Sequence, residues 1–213
     1  MNYFHLPKAP IMQLILADDS YRSRLLPFVF TRPCADIRCG ILTNRERWEH
    51  LLGLQRSSSG TITSAYLSKL FPIKGGAEVL VVNGRLLPDA TLLDCIRNLK
   101  SGQQLVYQQH LLAGHVHTDM LMDVECIQPF PLLDTVRYEG TPMFIDHVWD
   151  IFSRNDAMIR FDFTLLTSGR TSAPLSPTNK CIGAEQIFLE EGARVECSVI
   201  NASTGPVLSL IHI

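Results

Sequence analysis

Arginine residues are concentrated in one segment of a chain whose overall charge is slightly negative. Lys and Arg number 19 and Asp and Glu 21, which gives a formal net charge of −2. This balance excludes the broadly basic surface with which a general nucleic-acid binder releases counterions. The arginines of the segment are Arg22, Arg24, Arg32, Arg38, Arg45 and Arg47. Because guanidinium groups bind phosphate oxygens in pairs, their density indicates a local site for a phosphate-bearing ligand.

A second polar group follows a strongly apolar run. Residues 78–82, EVLVV, have the apolar character of a buried parallel strand, and the run ends in Asn83, Gly84 and Arg85. Open α/β sheets bind ligands outside the carboxyl ends of such strands, so these three residues are candidate substrate contacts. Asn-Gly is also a common turn sequence, and on the sequence alone both interpretations stay open.

The elements that must position these residues begin with a strand and a helix. An apolar run at 12–17 predicts the first strand. Residues 41–54 have helical spacing, and Thr43 and Glu46 form the pattern of a capping box at the start of the helix. The polar segment between the two elements contains prolines that prevent one continuous helix, so it is predicted to be a loop.

The remaining elements of the first 165 residues continue the alternation of strand and helix. A helix is expected to begin near Asp89 or Thr91, two half-buried strands follow, and residues 148–163 have helical spacing. This order predicts one layered α/β domain over residues 12–165, preceded by an unstructured leader at 1–11. Trp48 and Trp149 occupy apolar helical positions, and we expect both in the core.

The composition changes after residue 165. Residues 166–183 are rich in Ser, Thr and Pro, which predicts a linker. Over 184–207, small or branched residues recur every six positions, and this period predicts the first coil of a parallel β-helix. The recurring residues are Ile187, Ala193 and Val199, with a parallel set at Leu189 and Val195. Since one coil cannot bury its own face, we expect the natural chain to continue, and the period-breaking residues 208–213 to be a non-native tail.

The cysteines and the apolar runs bear on the protein's surroundings. Six cysteines occur without a C-x-x-C pair, which favours reduced, buried thiols over disulfides or a zinc site. The apolar runs are far shorter than the roughly 20 residues of a membrane span. We therefore expect a cytoplasmic protein that binds neither membrane nor nucleic acid.

Two stretches carry a resemblance to a known family. TRPCADIRCGILTNRERWE, residues 31–49, resembles the TRPxADIRxGILTxxExW loop of the GlmU-like sugar-1-phosphate nucleotidyltransferases. PLSPTNKCIGAEQIFLEEGARVE, residues 174–196, is similar to the passage in that branch from the catalytic domain to a hexapeptide left-handed β-helix. The resemblance covers about residues 12–207. It implies an α/β fold with a Rossmann-like (GT-A-like) layered domain, followed by the start of the β-helix, and in the full-length form a homotrimer.

The resemblance also implies an activity and a set of site residues. The implied reaction joins a nucleoside triphosphate to a sugar-1-phosphate, makes a UDP- or dTDP-sugar and releases pyrophosphate, with Mg²⁺ as cofactor. Such transfer depends on positioning and on neutralising phosphate oxygens. The implied catalytic residues are Arg24 and Arg32. The implied substrate-binding residues are Arg22, Thr31, Asp36, Arg38, Asn83, Gly84 and Arg85. Asp36 and Arg38 could alternatively pair with each other or cap the following helix.

The chain departs from the wider family at two points. The Gly-rich turn after the first strand is replaced by DDSYRSR, and Gly84-Arg85 stands where the family has Gly-Asp with a metal-binding aspartate. Asp18, Asp19 and Asn155 are the alternative candidate ligands for Mg²⁺. These departures keep a second interpretation open, namely a nucleotide- or sugar-phosphate-binding module without catalysis. The motifs of P-loop, serine-hydrolase and dinucleotide-binding proteins do not occur in the sequence.

Overall fold

The computed structural model describes residues 13–122 and 124–209 and has a mixed α/β fold. The strands are β1 (Gln13–Ala17), β2 (Gly60–Ile62), β3 (Glu78–Asn83), β4 (Leu86–Leu87), β5 (Gln103–Tyr107), β6 (His110–His117), β7 (Asp134–Arg137), β8 (Met143–Phe144), β9 (Lys180–Ile182), β10 (Ile187–Leu189), β11 (Val199–Asn201) and β12 (Val207–Ser209). The α-helices are α1 (Asn44–Leu51), α2 (Ala65–Ser68), α3 (Ala90–Arg97), α4 (Asp150–Ser153) and α5 (Asn155–Thr167). The predicted leader at 1–11 lies outside the described residues.

A six-stranded sheet with the order β2-β1-β3-β6-β5-β7 organises the domain. Strands β1, β2 and β3 are parallel, β6 runs antiparallel to β3 and β5, and β7 is parallel to β5. The chain passes from β1 to β2 on one side and then crosses to β3 on the other. The connections therefore reverse direction at β1, in the middle of the parallel part of the sheet.

Side chains of β1 and β3 alternate between two apolar layers because successive residues of a strand point to opposite faces. Leu14, Leu16, Leu80 and Val82 belong to the layer that also contains residues of α1, α3 and α5. The intervening residues belong to a second layer, which the segment from 118 to 133 covers. A third apolar cluster lies under the arginine-rich segment. The continuous apolar runs predicted as strands are thus buried on both sides.

Local signals set the helix starts as the sequence predicted. Thr43 accepts a hydrogen bond from the Glu46 amide and the Glu46 side chain accepts one from the Thr43 amide, which is the predicted capping box of α1. Asp89 accepts from the Leu92 amide at 2.9 Å and caps α3. The helix predicted over 148–163 is instead two helices, because the backbone leaves the regular helix between α4 and α5 at Arg154.

Two of the predictions about burial are wrong. Trp48 is fully buried, as predicted, but Trp149 is 63% exposed and stacks on the His147 ring with centroids 4.5 Å apart. It precedes a helix of only four residues, which gives it no apolar face to pack against. All six cysteines are free, yet Cys126 and Cys197 are exposed, so the thiols are not uniformly buried. None of the described helices combines the length and the apolar character that a membrane crossing requires.

Beyond α5 the described chain forms two pairs of short parallel strands. β9 pairs with β11 and β10 pairs with β12, which includes Leu208 and Ser209 of the predicted tail. Residue 173, within the predicted linker, packs into this unit, since the Ala173 amide donates to the Leu189 carbonyl at 2.9 Å. Val199 is 72% exposed, whereas Ile200 packs inward. On β11, the residue that packs inward is therefore one position later in the chain than the six-residue period predicts.

Candidate active site at the ends of β1 and β3

The carboxyl ends of β1 and β3 lie side by side at the point where the sheet connections reverse. Ala17 and Asn83 are paired in the register of the two strands, and Asp18, Asp19 and Arg85 follow them directly. In open α/β sheets this position forms the crevice in which ligands bind. The candidate residues after β1 and those after β3 are distant in the sequence. They nevertheless meet at the carboxyl ends of these two neighbouring strands.

Asp19 and Arg85 form a bidentate ion pair at this edge. Arg85 Nε donates to Asp19 Oδ1 at 2.8 Å, and Arg85 Nη2 donates to Asp19 Oδ2 at 2.6 Å. The Tyr21 amide and the Asn83 side-chain amide donate to the same carboxylate at 3.0 and 2.9 Å. Burial raises the pKa of Asp19, but the hydrogen bonds and charge of Arg85 outweigh it and hold the pKa below its usual value.

Arg85 is fully buried and reaches a second carboxylate at the rim. Its Nη1 atom donates to Asp146 Oδ1 at 2.5 Å and to the Ile145 carbonyl at 3.3 Å, and the Asp146 side chain is 44% exposed. The rings of Tyr21 and Phe144 lie 5.1 and 5.0 Å from its guanidinium carbon. Burial lowers the pKa of Arg85, but Asp19 and Asp146 more than compensate and raise it. Arg85 is thus a permanent cation enclosed by protein.

Asp18 is also enclosed by protein donors. Its carboxylate accepts hydrogen bonds from the Cys34 amide at 2.8 Å, Thr63 Oγ1 at 2.6 Å and Arg22 Nε at 3.0 Å. Burial raises the pKa of Asp18 above its usual value even though these three partners favour the charged form. Asp18 therefore joins the end of β1 to the loop after Pro33 and to the end of β2.

The second half of the arginine-rich segment is held by ion pairs inside the protein. Arg47 and Asp162, both fully buried, form a bidentate pair at 2.7 and 2.8 Å. Asp162 also accepts from the Ile41 and Leu42 amides at 2.9 and 3.0 Å. Gly40 has a left-handed backbone with φ of 90°, and a Cβ atom there would lie 2.6 Å from Asp162 Oδ2. This close approach explains the glycine.

The candidates Asp36 and Arg38 lie in this second half, and the candidate Asn155, the first residue of α5, contacts it at Gly40. Asp36 pairs with Arg45 at 2.5 Å, and Arg38 pairs with Glu46 at 3.5 Å. The alternative in which Asp36 and Arg38 pair with each other is therefore wrong. Asn155 Oδ1 accepts from the Gly40 amide at 2.8 Å and shares no hydrogen-bond partner with Asp18 or Asp19 among the described residues.

The first half of the segment consists of a 3-10 helix, Ser20–Leu25, and a largely exposed loop that follows it, so the predicted loop is partly helical. Arg24, Thr31 and Arg32 are exposed, and neither arginine makes a hydrogen bond or an ion pair within residues 13–122 and 124–209. The guanidinium group of Arg24 lies 4.2 Å from the centroid of the Tyr21 ring, and the guanidinium carbon of Arg85 lies 5.1 Å from the same centroid. Arg32 precedes by two residues the Cys34 amide that donates to Asp18. Arg24 therefore lies beside the ends of β1 and β3, and both arginines are exposed with side-chain donors available to an anion.

Arg22 contributes to the shape of this loop. Besides Asp18, its guanidinium group donates to the Val29 carbonyl and to the Tyr66 hydroxyl, the latter at 2.9 Å. The Tyr66 hydroxyl in turn donates to the Phe30 carbonyl at 2.9 Å. The side chain that was predicted to contact substrate thus ties residues 29 and 30 to the end of β1.

Comparison with known protein families matches residues 14–171, about three quarters of the chain, to the sugar nucleotidyl transferase family. The chain belongs to this family. The match begins in β1 and ends just beyond α5, so the sugar nucleotidyl transferase domain contains the whole sheet and both halves of the arginine-rich segment. A search of curated proteins found no significant relative.

The family resemblance implies a bound Mg²⁺ ion. Whether the candidate site fits this ion depends on how many carboxylate oxygens are free to bind it. Each Asp19 oxygen accepts two hydrogen bonds, and Asp18 accepts three in total. No group of three or more His, Cys, Asp or Glu side chains with metal-binding geometry occurs among the described residues. A hard cation needs several free oxygen ligands. Asp18, Asp19 and Asn155 as arranged do not fit it, and magnesium stays a prediction.

Sequence reasoning missed residues that build the transferase site through the backbone. Asn44 Nδ2 donates to the Gly84 and Leu86 carbonyls, both at 2.8 Å, and Trp48 Nε1 donates to Leu86 at 2.9 Å. The Gly84 amide donates to the Ala17 carbonyl, and a Cβ atom at Gly84 would lie 3.2 Å from the Ala35 amide. The only feature of the sequence that indicates these contacts is the side-chain amide of Asn44 in the first turn of α1.

Proposed function

We propose that the protein is a sugar-1-phosphate nucleotidyltransferase that makes a UDP- or dTDP-sugar. A phosphate oxygen of the sugar-1-phosphate attacks the α-phosphate of the nucleoside triphosphate, a new P–O bond forms, and pyrophosphate leaves with the electrons of the broken bond. The nucleotide and the sugar phosphate are the two substrates. No covalent intermediate with the protein is required.

The observation that carries the proposal is the placement of Arg24 and Arg32. Family membership supports nucleotidyl transfer to a sugar at a coarse level. Arg24 lies beside the ends of β1 and β3, since its guanidinium group stacks on the Tyr21 ring, and Arg32 is exposed two residues before Cys34, whose amide donates to Asp18. Their guanidinium forks can bind phosphate oxygens in pairs and neutralise charge on the transferred and leaving groups. Arg22 and Asp18 orient the loop that carries them.

A second candidate function is a binding module that has lost catalysis. It is favoured by the enclosure of Asp19, whose two oxygens are both paired with Arg85 and hence not directed to a ligand. In this interpretation Arg24 and Arg32 still bind a nucleotide or a sugar phosphate. The two functions differ in turnover and agree in ligand binding.

We also infer that β9 to β12 form the start of a left-handed β-helix, through which subunits assemble as a homotrimer. The parallel register supports it, since Lys180 pairs with Val199 and Ile187 with Val207, offsets close to one coil of three hexapeptides. Light scattering of the full-length form, with its whole β-helix, over a range of concentrations tests the assembly. A monomer at every concentration would contradict it.

A pyrophosphate-release screen tests the main proposal. Purified protein is incubated with pairs of nucleoside triphosphates and sugar-1-phosphates, with and without Mg²⁺. We expect turnover with at least one pair, a fall of about tenfold or more for Arg24→Ala and Arg32→Ala, and no change for Arg137→Ala. Arg137 is a matched control because it is exposed on β7, at the far edge of the sheet. Triphosphate binding without turnover of any pair would select the binding module.

A further inference from the structure

The acidic groups at the candidate site are neutralised by arginines of the same chain. Asp18 is paired with Arg22, and Asp19 and Asp146 are both paired with Arg85. These pairs leave no carboxylate among the described residues of the site with both oxygens free. The guanidinium group of Arg85 therefore lies between two carboxylates and supplies the positive charge that both of them require.

The two kinds of cation differ in what they require. A divalent metal ion needs six or more oxygen ligands, and it neutralises carboxylates only when it is bound. A guanidinium group is always charged and satisfies a carboxylate with two directed N–H donors. Arg85 does so with Asp19 at 2.6 and 2.8 Å, and Asn83 and the Tyr21 amide complete the shell. The hydrogen-bonding capacity of Asp19 is thus satisfied without a metal.

The arginines of the site that have no carboxylate partner among the described residues are exposed to solvent. The three carboxylates of the site, on Asp18, Asp19 and Asp146, are balanced by Arg22 and Arg85 to within one charge. Arg24 and Arg32 add two unpaired guanidinium groups at the surface, with Arg24 stacked on the Tyr21 ring that covers Arg85. An anion at this edge therefore meets guanidinium groups first, and the one partly exposed carboxylate, Asp146, is already paired.

From this arrangement we propose that the protein binds the triphosphate of its nucleotide substrate without a divalent cation held by protein carboxylates, with Arg85 as the built-in cation of the site. The proposal rests on the proposed function, because it concerns the ligand of the same site. Arg85 is a positioning residue here. It fixes Asp19, Tyr21 and Asp146, while Arg24 and Arg32 contact the phosphates.

The first test measures the affinity of the wild-type protein for UTP and dTTP by calorimetry, in EDTA and in excess Mg²⁺. We expect dissociation constants in the two buffers that agree within about threefold, or tighter binding in EDTA, where the free triphosphate carries more charge. Binding at least tenfold weaker in EDTA would overturn the proposal and leave the proposed function standing. Absence of triphosphate binding in both buffers would instead overturn the proposed function, and the inference with it.

The second test uses Mn²⁺ as a paramagnetic probe without nucleotide. Electron paramagnetic resonance should show no saturable Mn²⁺ binding to the wild-type protein. A saturable site that disappears in Asp146→Asn would overturn the proposal, because Asp146 is the carboxylate of the cluster that reaches solvent. Asp134→Asn on β7 is the matched control for a change of one exposed carboxylate.

The third test separates the roles of the arginines. Arg32→Ala should weaken triphosphate binding about tenfold or more, and by the same factor in EDTA and in Mg²⁺, while Arg137→Ala leaves it unchanged in both. A loss confined to the Mg²⁺ buffer would mean that Arg32 acts on a metal complex and would overturn the proposal. Thermal unfolding of each variant establishes that it is folded, so that a lost fold is not mistaken for lost binding.

Discussion

The two halves of the arginine-rich segment each contain three arginines, but most of these arginines have opposite surroundings. In residues 22–32, Arg24 and Arg32 are exposed and hold their donors toward solvent. In residues 36–47, Arg45 and Arg47 direct theirs into the protein, toward Asp36 and Asp162. Arg24 and Arg32 can bind an anion from solvent, whereas Arg45 and Arg47 are paired with carboxylates of the protein itself.

The difference shows that a count of arginines overestimates a phosphate site. A buried guanidinium group must be paired, because an isolated charge in the protein interior is very unfavourable. Arg47 also donates to the Cys39 and Leu42 carbonyls, so it holds the chain around Gly40 in place. Only an arginine without an internal partner remains available to a ligand, and in this segment that condition selects Arg24 and Arg32.

Substitution of Arg47 should have the largest effect and tests whether the second half is structural. Arg47→Met leaves Asp162 buried without its cation and should lower the free energy of unfolding by about 3–5 kcal/mol. Urea denaturation measures the change. Arg56→Ala is the control, because Arg56 is 77% exposed and its pair with Glu46 should contribute at most about 1 kcal/mol. Equal losses in the two variants would contradict the division of the segment.

Gly40 tests the same half through the backbone. Gly40→Ala places a methyl group against Asp162 and the Met158 backbone at a φ of 90°, which should lower the free energy of unfolding by about 2–4 kcal/mol. Gly53→Ala is the matched control, with a φ of 68° and no atom within 4 Å of the new Cβ. Gly53→Ala should lower the free energy of unfolding by only about 1 kcal/mol, because alanine adopts a left-handed backbone less readily than glycine. Similar urea midpoints for the two variants would show that the packing at Gly40 is loose.

Arg32 tests the first half through ligand affinity. Arg32→Ala should weaken triphosphate binding by about 1.5–3 kcal/mol, about tenfold or more, because a charge-assisted contact is lost. The free energy of unfolding should change by less than about 0.5 kcal/mol, since the side chain is exposed. Calorimetric titration and urea denaturation of one preparation measure both. A loss of stability with unchanged affinity would show that Arg32 stabilises the fold and does not bind the triphosphate.

Arg38 should show the smallest effect, and one that depends on pH. Burial raises the pKa of Glu46, but hydrogen bonds from Thr43 and the charges of Arg38 and Arg56 outweigh it and hold the pKa below 4.5. A carboxylate with a lowered pKa stabilises the fold above its usual pKa, and this contribution is lost as the pH falls through the lowered value. Arg38→Ala should therefore lower the free energy of unfolding by at most about 1 kcal/mol at pH 7.

The comparison between Arg38→Ala and wild type is repeated at pH values below 4.5. There the difference should shrink, because protonated Glu46 no longer attracts the guanidinium group. A constant difference from pH 7 to pH 3 would assign the effect of Arg38 to its hydrogen bond with the Ile41 carbonyl instead.

The predictable parts of the fold and site depend on local signals. The apolar runs of β1 and β3 and the capping box of α1 are properties of a few consecutive residues, and each element was predicted near its observed place. The sequence also predicted that Asn83, Gly84 and Arg85 end a buried strand, at the kind of position where open α/β sheets bind ligands. Family membership over residues 14–171 agrees with the resemblance of the loop at the coarse level of sugar nucleotidyl transfer.

The unpredictable parts depend on partners that are distant in the chain. Arg47 and Asp162 are 115 positions apart, and Arg85 and Asp146 are 61 apart. No periodicity in a single sequence links such positions, so the sequence shows the charges but not which of them are paired. The prediction for Trp149 was wrong for a related reason, since its apolar spacing gives no information on where α4 begins, and the helix begins at Asp150, directly after it.

The contacts of Asn44 and Trp48 with the β3 end have a consequence for how such a protein can change during evolution. Both side chains bind carbonyl oxygens, at Gly84 and Leu86, and every amino acid supplies a carbonyl oxygen. The loop is therefore anchored independently of which side chain stands at position 85. A substitution at position 85 changes the charge of the site and removes the partner of Asp19 and Asp146, while the backbone beside it stays anchored, so a lineage that changes this residue must compensate two carboxylates without rebuilding the turn.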